Sequence, residues 1–370
     1  MGVFAALLVL PASASAFTHA QRAALRAAVT QDQVEGGYPG LVVGVWQKGH
    51  GHFVSATGTS DLRTHRHVRT SDVFRIGSVT KTLTATIVMQ LAERGSLRLS
   101  DPIDRYVQGI KHVHKVTIRD VLAQVSGFPD LDDQISNAVF LSPHRQWQAR
   151  KAVRQSLRQP RVCAPRTCWH YSNVNYLLAG IIAENASGET LPQLYASGIL
   201  GPLGLRHTSF APSRPVPSPA AHGYIGGGGP PIDTSRWNFS WAWSAGGFNS
   251  TLGDLRRYVP ALATGHGLLT RAMQRRRLNF TDISQDTTVP GSKYGLGIFQ
   301  LQTKLGKFLG HNGAVPGYDS VVLYSPSSKV TIVAIGNTSV ELFPVRGNPE
   351  APSMLFNLAP DLIEALAANR

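Results

Sequence analysis

Phe74-Arg75-Ile76-Gly77-Ser78-Val79-Thr80-Lys81 opens a run that continues Thr82-Leu83-Thr84-Ala85-Thr86-Ile87-Val88-Met89-Gln90-Leu91. It reads as a helix from Ser78 to Arg94, ended by Gly95. Val79, Leu83, Ala85, Ile87, Val88, Met89 and Leu91 put apolar surface on most sides, so the helix is expected at the centre of a core. Ser78 stands at its start and Lys81 three residues on, which puts both side chains on one face. A helix N-terminus offers free N–H groups and a positive dipole end, and both favour a developing oxyanion. The lysine ammonium lowers the cost of a nearby deprotonated oxygen, and a partly buried lysine can itself act as base. Alone, the pair reads more readily as an N-cap serine beside an exposed lysine.

Two more motifs bear on that choice. Tyr171-Ser172-Asn173 precedes a helix expected to begin near Val174. A phenol held between cations can serve as general base, and the Asn173 amide can orient a substrate carbonyl or hold Lys81. The alternative is a core tyrosine and an N-cap asparagine. His311-Asn312-Gly313 is expected to follow a strand ending at Gly310. Gly313 lets a substrate lie against the strand edge, and the Ala314 N–H can complete an oxyanion hole with that of Ser78. The alternative is a strand-edge histidine.

In this order, the three motifs resemble those of the class C β-lactamase and D-alanyl-D-alanine carboxypeptidase family of penicillin-recognising serine enzymes. Supporting stretches are Thr117 to Leu122 leading to Ser126-Gly127-Phe128-Pro129, and Pro202-Leu203-Gly204-Leu205 with Thr208-Ser209-Phe210. Ser244-Ala245-Gly246-Gly247, Tyr294-Gly295-Leu296-Gly297 and Gly310 to Tyr318 add to them. The resemblance implies Ser78 as nucleophile, Lys81 as its activator and Tyr171 as general acid/base. Asn173 and His311 would line the site. Trp241 would form a wall of the cleft, or else be a core tryptophan. Two departures stand out. His311 begins the third motif where β-lactamases usually carry lysine. Ile298-Phe299 follows the Tyr-Gly-Leu-Gly stretch, where the carboxypeptidase branch is expected to carry an arginine for the substrate carboxylate; Lys304 or Lys307 would have to replace it.

Strand patterns flank this centre. Leu41 to Trp46 and His52 to Ala56 are expected as a hairpin through Gly49-His50-Gly51, after a helix capped by Thr18 and Gln21. Strands return at Tyr294 to Gln302, Lys307 to Leu309, Asp319 to Tyr324 and Lys329 to Ile335, and Leu362 to Ala368 closes as a helix. Strands at both ends with helices between predict an α/β (α+β) fold. Its antiparallel sheet would come from residues 17–95 and 291–370, flanked by helices, with a mostly helical insertion at 96–290.

Composition narrows the rest. The 370 residues hold 42% hydrophobic and 16% charged side chains, which excludes a largely disordered chain. Residues 1–16 read as a signal peptide: Val3 to Pro11 is apolar and Ala14-Ser15-Ala16 fits a cleavage site, although a basic start is missing. No later stretch reaches the ~20 apolar residues of a membrane span, so the mature protein is expected to be soluble and extracytoplasmic. Cys163 and Cys168, with four residues between them, favour a local disulfide over a zinc or redox pair in that compartment. The charge of +14 comes without a nucleic-acid recognition motif, and Arg275-Arg276-Arg277 reads as a solvated helix face. His50 with His52, His65 with His67 and His112 with His114 lack accompanying acidic or cysteine ligands, so no metal or cofactor is expected. The expected activity is hydrolysis through an acyl-enzyme on Ser78, with a peptidoglycan stem peptide ending in D-alanyl-D-alanine as favoured substrate. An esterase, a β-lactamase or a penicillin-binding sensor without turnover is the alternative.

Overall fold

The computed structural model describes residues 16–226, 229–283, 292–339 and 358–367. The expected leader falls outside the described residues except for Ala16, as do two positions of the glycine-rich stretch at 226–231 and Ala368.

Helix α1 (His19–Glu35) opens with the expected capping box: Gln21 N donates to Thr18 Oγ1 at 3.1 Å and Thr18 N to Gln21 Oε1 at 3.1 Å. Strands β1 (Gly40–Gln47) and β2 (Gly51–Asp61) follow as a hairpin, with β3 (Arg66–His67) at the edge. After the long middle of the chain come β4 (Thr281–Asp282), β5 (Lys293–Tyr294), β6 (Phe299–Thr303), β7 (Gly306–Val315), β8 (Tyr318–Ser325) and β9 (Val330–Gly336). They form one sheet in the order β3-β2-β1-β9-β8-β7-β6-β5-β4, with every neighbouring pair antiparallel. The two ends of the chain meet at β1 and β9, where Leu41 faces Gly336 and Gln47 faces Val330.

Side-chain alternation divides this sheet between two cores. Leu41, Val43 and Val45 join the core under α1 and the closing helix, whereas Val42 and Trp46 join the core on the other face. That second core is centred on α2 (Thr80–Glu93), in which every residue from Thr80 to Leu91 is buried. Its buried polar side chains are all bonded, as burial requires. Thr82 meets Tyr258 OH at 2.7 Å, Thr84 Oγ1 donates to Ser244 O at 2.6 Å, and Gln90 Nε2 donates to Gly198 O and Leu268 O. Between α2 and β4 the regular elements are chiefly helices joined by long irregular connections, and the described strands there span two or three residues each.

The mixed α/β architecture with an antiparallel sheet from both ends is as expected, but several details differ. Strand β4 precedes the boundary expected at 291. Tyr294 to Gln302 is not one strand: β5 and β6 pair with each other across the turn at 295–298, with Gly297 at φ +73°. The strand through Lys307 does not end before the His-Asn-Gly motif but runs on to Val315. The helix capped by Thr117 stops at Leu122, short of Ser126. Arg277 is not solvated. It is fully buried, with Nη2 donating to Thr86 Oγ1 and Nη1 to Leu262 O, because its helix (Arg271–Arg277) turns that side chain toward α2. Cys163 and Cys168 are disulfide-bonded. No helix among the described residues is long and apolar enough to cross a membrane, and none of their His, Cys, Asp and Glu side chains form a group of three suited to a metal.

One buried acid lies far from the catalytic motifs. Asp32 of α1 is 6% exposed, and burial, then Asp361 and Glu35, push its carboxyl up to about 7. The folded chain therefore binds a proton that the unfolded chain releases near 4, so this group's stabilising contribution is complete below 4 and is lost as pH rises through 7. Asp32→Asn should raise the melting temperature at pH 8, by about 1–3 kcal/mol of stability, and change it little at pH 4. Calorimetry at the two pH values checks this; an equal effect at both would exclude the titration.

Candidate active site

The chain enters the site along a short antiparallel pairing of Phe74–Arg75 with Phe248–Ser250. It then turns through a 3-10 segment at Gly77–Val79 before α2 begins at Thr80. Ser78 is thus not an N-cap, and neither segment uses a side-chain cap. Gly77 has φ +45°, a conformation that disfavours any side chain. A Cβ there would stand 2.9 Å from Ala314 N. Across the junction, a Cβ on Gly313 would run into Ile76 O and stand 2.8 Å from Ser78 N. Ser320 Oγ lies between Ile76 O (3.1 Å) and Gly313 O (3.2 Å) and ties the turn to β7. Two bare backbones in contact therefore bring the amides of Ser78 and Ala314 to the same junction.

Lys81 is fully buried one turn below. Its Nζ is 2.9 Å from Ser78 Oγ, 2.7 Å from Asn173 Oδ1 and 3.0 Å from Ala245 O. Loss of hydration pulls the ammonium down to about 7, against an upward pull from Asp130. Near neutrality a large share of Lys81 is thus an uncharged amine. The Tyr171 ring lies over Nζ, 4.9 Å from its centroid. Asn173 is the first residue of α3 (Asn173–Ser187). Its Nδ2 donates to Asp130 Oδ2 at 3.1 Å and its backbone N to Asp130 Oδ1 at 2.6 Å.

The third side of the site is aromatic. His311 lies 6.2 Å from Tyr171, 5.9 Å from Tyr294 and 4.8 Å from Phe299, centroid to centroid. It is wholly buried, and burial carries it down to about 3, with the Lys81 charge adding to the fall against the Asn312 carbonyl. It is therefore neutral at physiological pH. Its Nδ1 is 2.6 Å from Asn312 O, an acceptor only, so Nδ1 carries the proton and Nε2 faces Tyr294 OH at 3.3 Å.

The fold thus gathers Ser78, Lys81, Tyr171, Asn173, His311, Gly313 and Ala314 from three distant stretches. The Trp241 ring pairs with Phe239 at 6.2 Å and packs half-buried against the main core. Lys304 is engaged elsewhere, with Glu364 of α4 (Leu358–Ala367) at 3.1 Å. The sequence reading assigned no role to Asp130, Ala245 or Ser320. Ala245 lies in the quoted Ser244-Ala245-Gly246-Gly247 stretch, and Asp130 directly follows Pro129 of another.

A comparison with protein families supports what these motifs imply: the Beta-lactamase model matches residues 25–351. The chain belongs to the beta-lactamase family of serine hydrolases. This beta-lactamase-family chain is 25% identical over 301 residues to a penicillin-binding protein of Bacillus subtilis (strain 168), which covers 76% of it and 64% of that protein. It thus spans less than two thirds of that relative's length. Among solved structures it is similar to a D-stereospecific amidohydrolase from Streptomyces sp., at TM-score 0.79 and 26% identity, covering 97% of this chain and 100% of that one. A D-amino acid amidase from Ochrobactrum anthropi SV3, complexed with D-phenylalanine, shares the fold at TM-score 0.80 and 23% identity, covering 95% and 99%.

The junction yields a test. Gly313→Ala must part β7 from the Ile76–Ser78 turn and displace the Ser78 amide. kcat on a chromogenic ester should fall about 10²–10³-fold, the scale of losing one oxyanion donor, while the melting temperature stays above assay temperature. Retention of wild-type kcat would show that the two backbones are free to separate without consequence.

Proposed function

We propose that this chain hydrolyses amides or esters of D-configured amino acids through an acyl-enzyme on Ser78. Ser78 Oγ bonds to the substrate carbonyl carbon as Lys81 takes its proton, and the amides of Ser78 and Ala314 hold the oxyanion. The amine or alcohol leaves with a proton delivered by the Lys81–Tyr171 pair. Water then attacks the acyl carbon and releases the acid, restoring Ser78. No step needs a metal or cofactor. The D-configuration rests on the likeness to the D-stereospecific amidohydrolase. The leader pattern at 1–16 and the Cys163–Cys168 disulfide support an extracytoplasmic setting.

One observation carries the preference for a neutral leaving side. Phe299, 6% exposed, packs against His311 at 4.8 Å and Tyr294 at 4.7 Å in a cluster that includes Tyr171 and Trp169. A phenyl ring offers no donor to a carboxylate, whereas a guanidinium offers two parallel N–H groups. His311 is uncharged, and Lys304 is bound to Glu364. The likeness to a penicillin-binding protein favours a second reading, a D-alanyl-D-alanine carboxypeptidase acting on peptidoglycan peptides, and that substrate ends in a free carboxylate.

Three measurements test the proposal, and the last of them separates the two readings. A fluorophosphonate or β-lactam should add mass to the peptide carrying Ser78, and full labelling of Ser78→Ala would refute the nucleophile. Tyr171→Phe and Lys81→Ala should each lower kcat about 10²–10⁴-fold, and the double variant should be hardly worse than the worse single, because the two act as one unit. Wild type should prefer a D-alanyl methyl ester or amide over the free D-alanyl-D-alanine terminus. Phe299→Arg should move kcat/KM toward the free acid about tenfold to a hundredfold, the size of a charged hydrogen bond. A strong wild-type preference for the free carboxylate would favour the carboxypeptidase.

A further inference from the structure

Asp130 belongs to none of the three motifs, yet it meets one of them at two points. Oδ1 accepts from Asn173 N at 2.6 Å and Oδ2 from Asn173 Nδ2 at 3.1 Å. It ends a loop that holds the whole Tyr171 motif. Gln124, at φ +61°, accepts from His170 N through its backbone oxygen (2.9 Å) and from Ser172 N through Oε1 (3.1 Å). Ser172 Oγ donates to Pro129 O at 2.8 Å. Of these contacts, the one from Asp130 reaches the side chain that touches Lys81.

Its chemistry settles a question of orientation. An ionised carboxylate only accepts, so the Asn173 amide must present its NH₂ to Asp130 and its oxygen to Lys81. Ala245 O, the second neighbour of Nζ, also only accepts. A neutral amine has two N–H bonds and one lone pair. The two acceptors take the two N–H bonds, and the remaining direction, toward Ser78 Oγ at 2.9 Å, is left to the lone pair. With the amide reversed, its NH₂ would face Nζ, the lone pair would turn to it, and an N–H would point at Ser78.

We infer that Asp130 is a positioning residue: by locking the Asn173 amide it keeps the lone pair of neutral Lys81 on Ser78. The inference rests on the acyl-enzyme reading above. As the Ser78 Oγ–carbon bond forms, the hydroxyl proton passes to that lone pair and leaves an ammonium, which returns the proton later in the cycle. The charged and titratable groups facing Lys81 are Asp130, Tyr171, Tyr176 and His311, and of these the Asp130 anion favours the ammonium.

The test is Asp130→Asn, assayed with a chromogenic ester. An asparagine keeps the shape and an acceptor for the Asn173 N–H, but it tolerates either orientation of the Asn173 amide. kcat should fall about 10–100-fold, the range of a misplaced catalytic group, with KM within about threefold of wild type. The acid limb of kcat/KM should move to lower pH, because the anion that holds the Lys81 ammonium up is gone. Asp130→Glu should recover part of kcat. If Asp130→Asn does not fold, Asp130→Ser carries the same expectations. Wild-type kcat in the variant, or a loss that tracks the melting temperature with the acid limb unmoved, would overturn the proposal. Fluorophosphonate labelling keeps the two levels apart. Absence of label on Ser78 in wild type defeats the acyl-enzyme reading, whereas equal labelling rates in wild type and Asp130→Asn defeat only the role of Asp130.

Discussion

The contact between the Ile76–Ser78 turn and Gly313–Ala314, near the end of β7, is the constraint on which the site depends. Helix and sheet seldom approach so closely, because side chains normally stand between them. Here Gly77 and Gly313 remove the side chains, and Ser320 shares its hydroxyl between a carbonyl of each backbone. Ser78 thereby sits where a rigid helix meets a rigid sheet, with a backbone donor from each. Sites on such elements hold their geometry better than sites on loops.

Burial then supplies the chemistry. Lys81 could not sit at the end of an apolar helix core as a charged group without a large desolvation cost, and the core answers by making it a weak acid near neutrality. The same burial makes His311 a neutral strut between aromatic rings rather than a cation. One physical effect, acting on two residues that are both cationic in acid, yields an amine able to take a proton and an imidazole that does not compete for it.

Much of this was legible in the sequence where the signal is local. The apolar surround of Ser78 to Leu91 announced a buried helix, and Thr18 with Gln21 announced a cap that forms as expected. The three short motifs carried the family and most of the site. What was missed depends on partners far along the chain. His311 and Asn312 interrupt an apolar pattern, so β7 seemed to stop before them, although Val322 and Val321 pair with them to continue it. Arg277 looked solvated because two arginines precede it, and only its hydrogen bonds to Thr86 and Leu262, distant in sequence, mark it as a core residue. Asp130 faces an amide 43 residues away, and no periodicity marks such a contact.

The pairing of β1 with β9 has a consequence for the order in which the molecule comes into being. Leu41 finds Gly336, Gly40 N donates to Asn337 Oδ1, and Tyr38 OH donates to Asp319 Oδ2. None of these partners exists while the first half of the chain is being synthesised. Closing so large a loop is entropically expensive and is repaid only when the last strands arrive, which makes folding late and slow. The Ser78 turn waits on β7 in the same way. A chain whose last strands have not yet been made therefore carries Ser78 and Lys81 in sequence without the β7 and β8 contacts that hold the Ser78 turn in place.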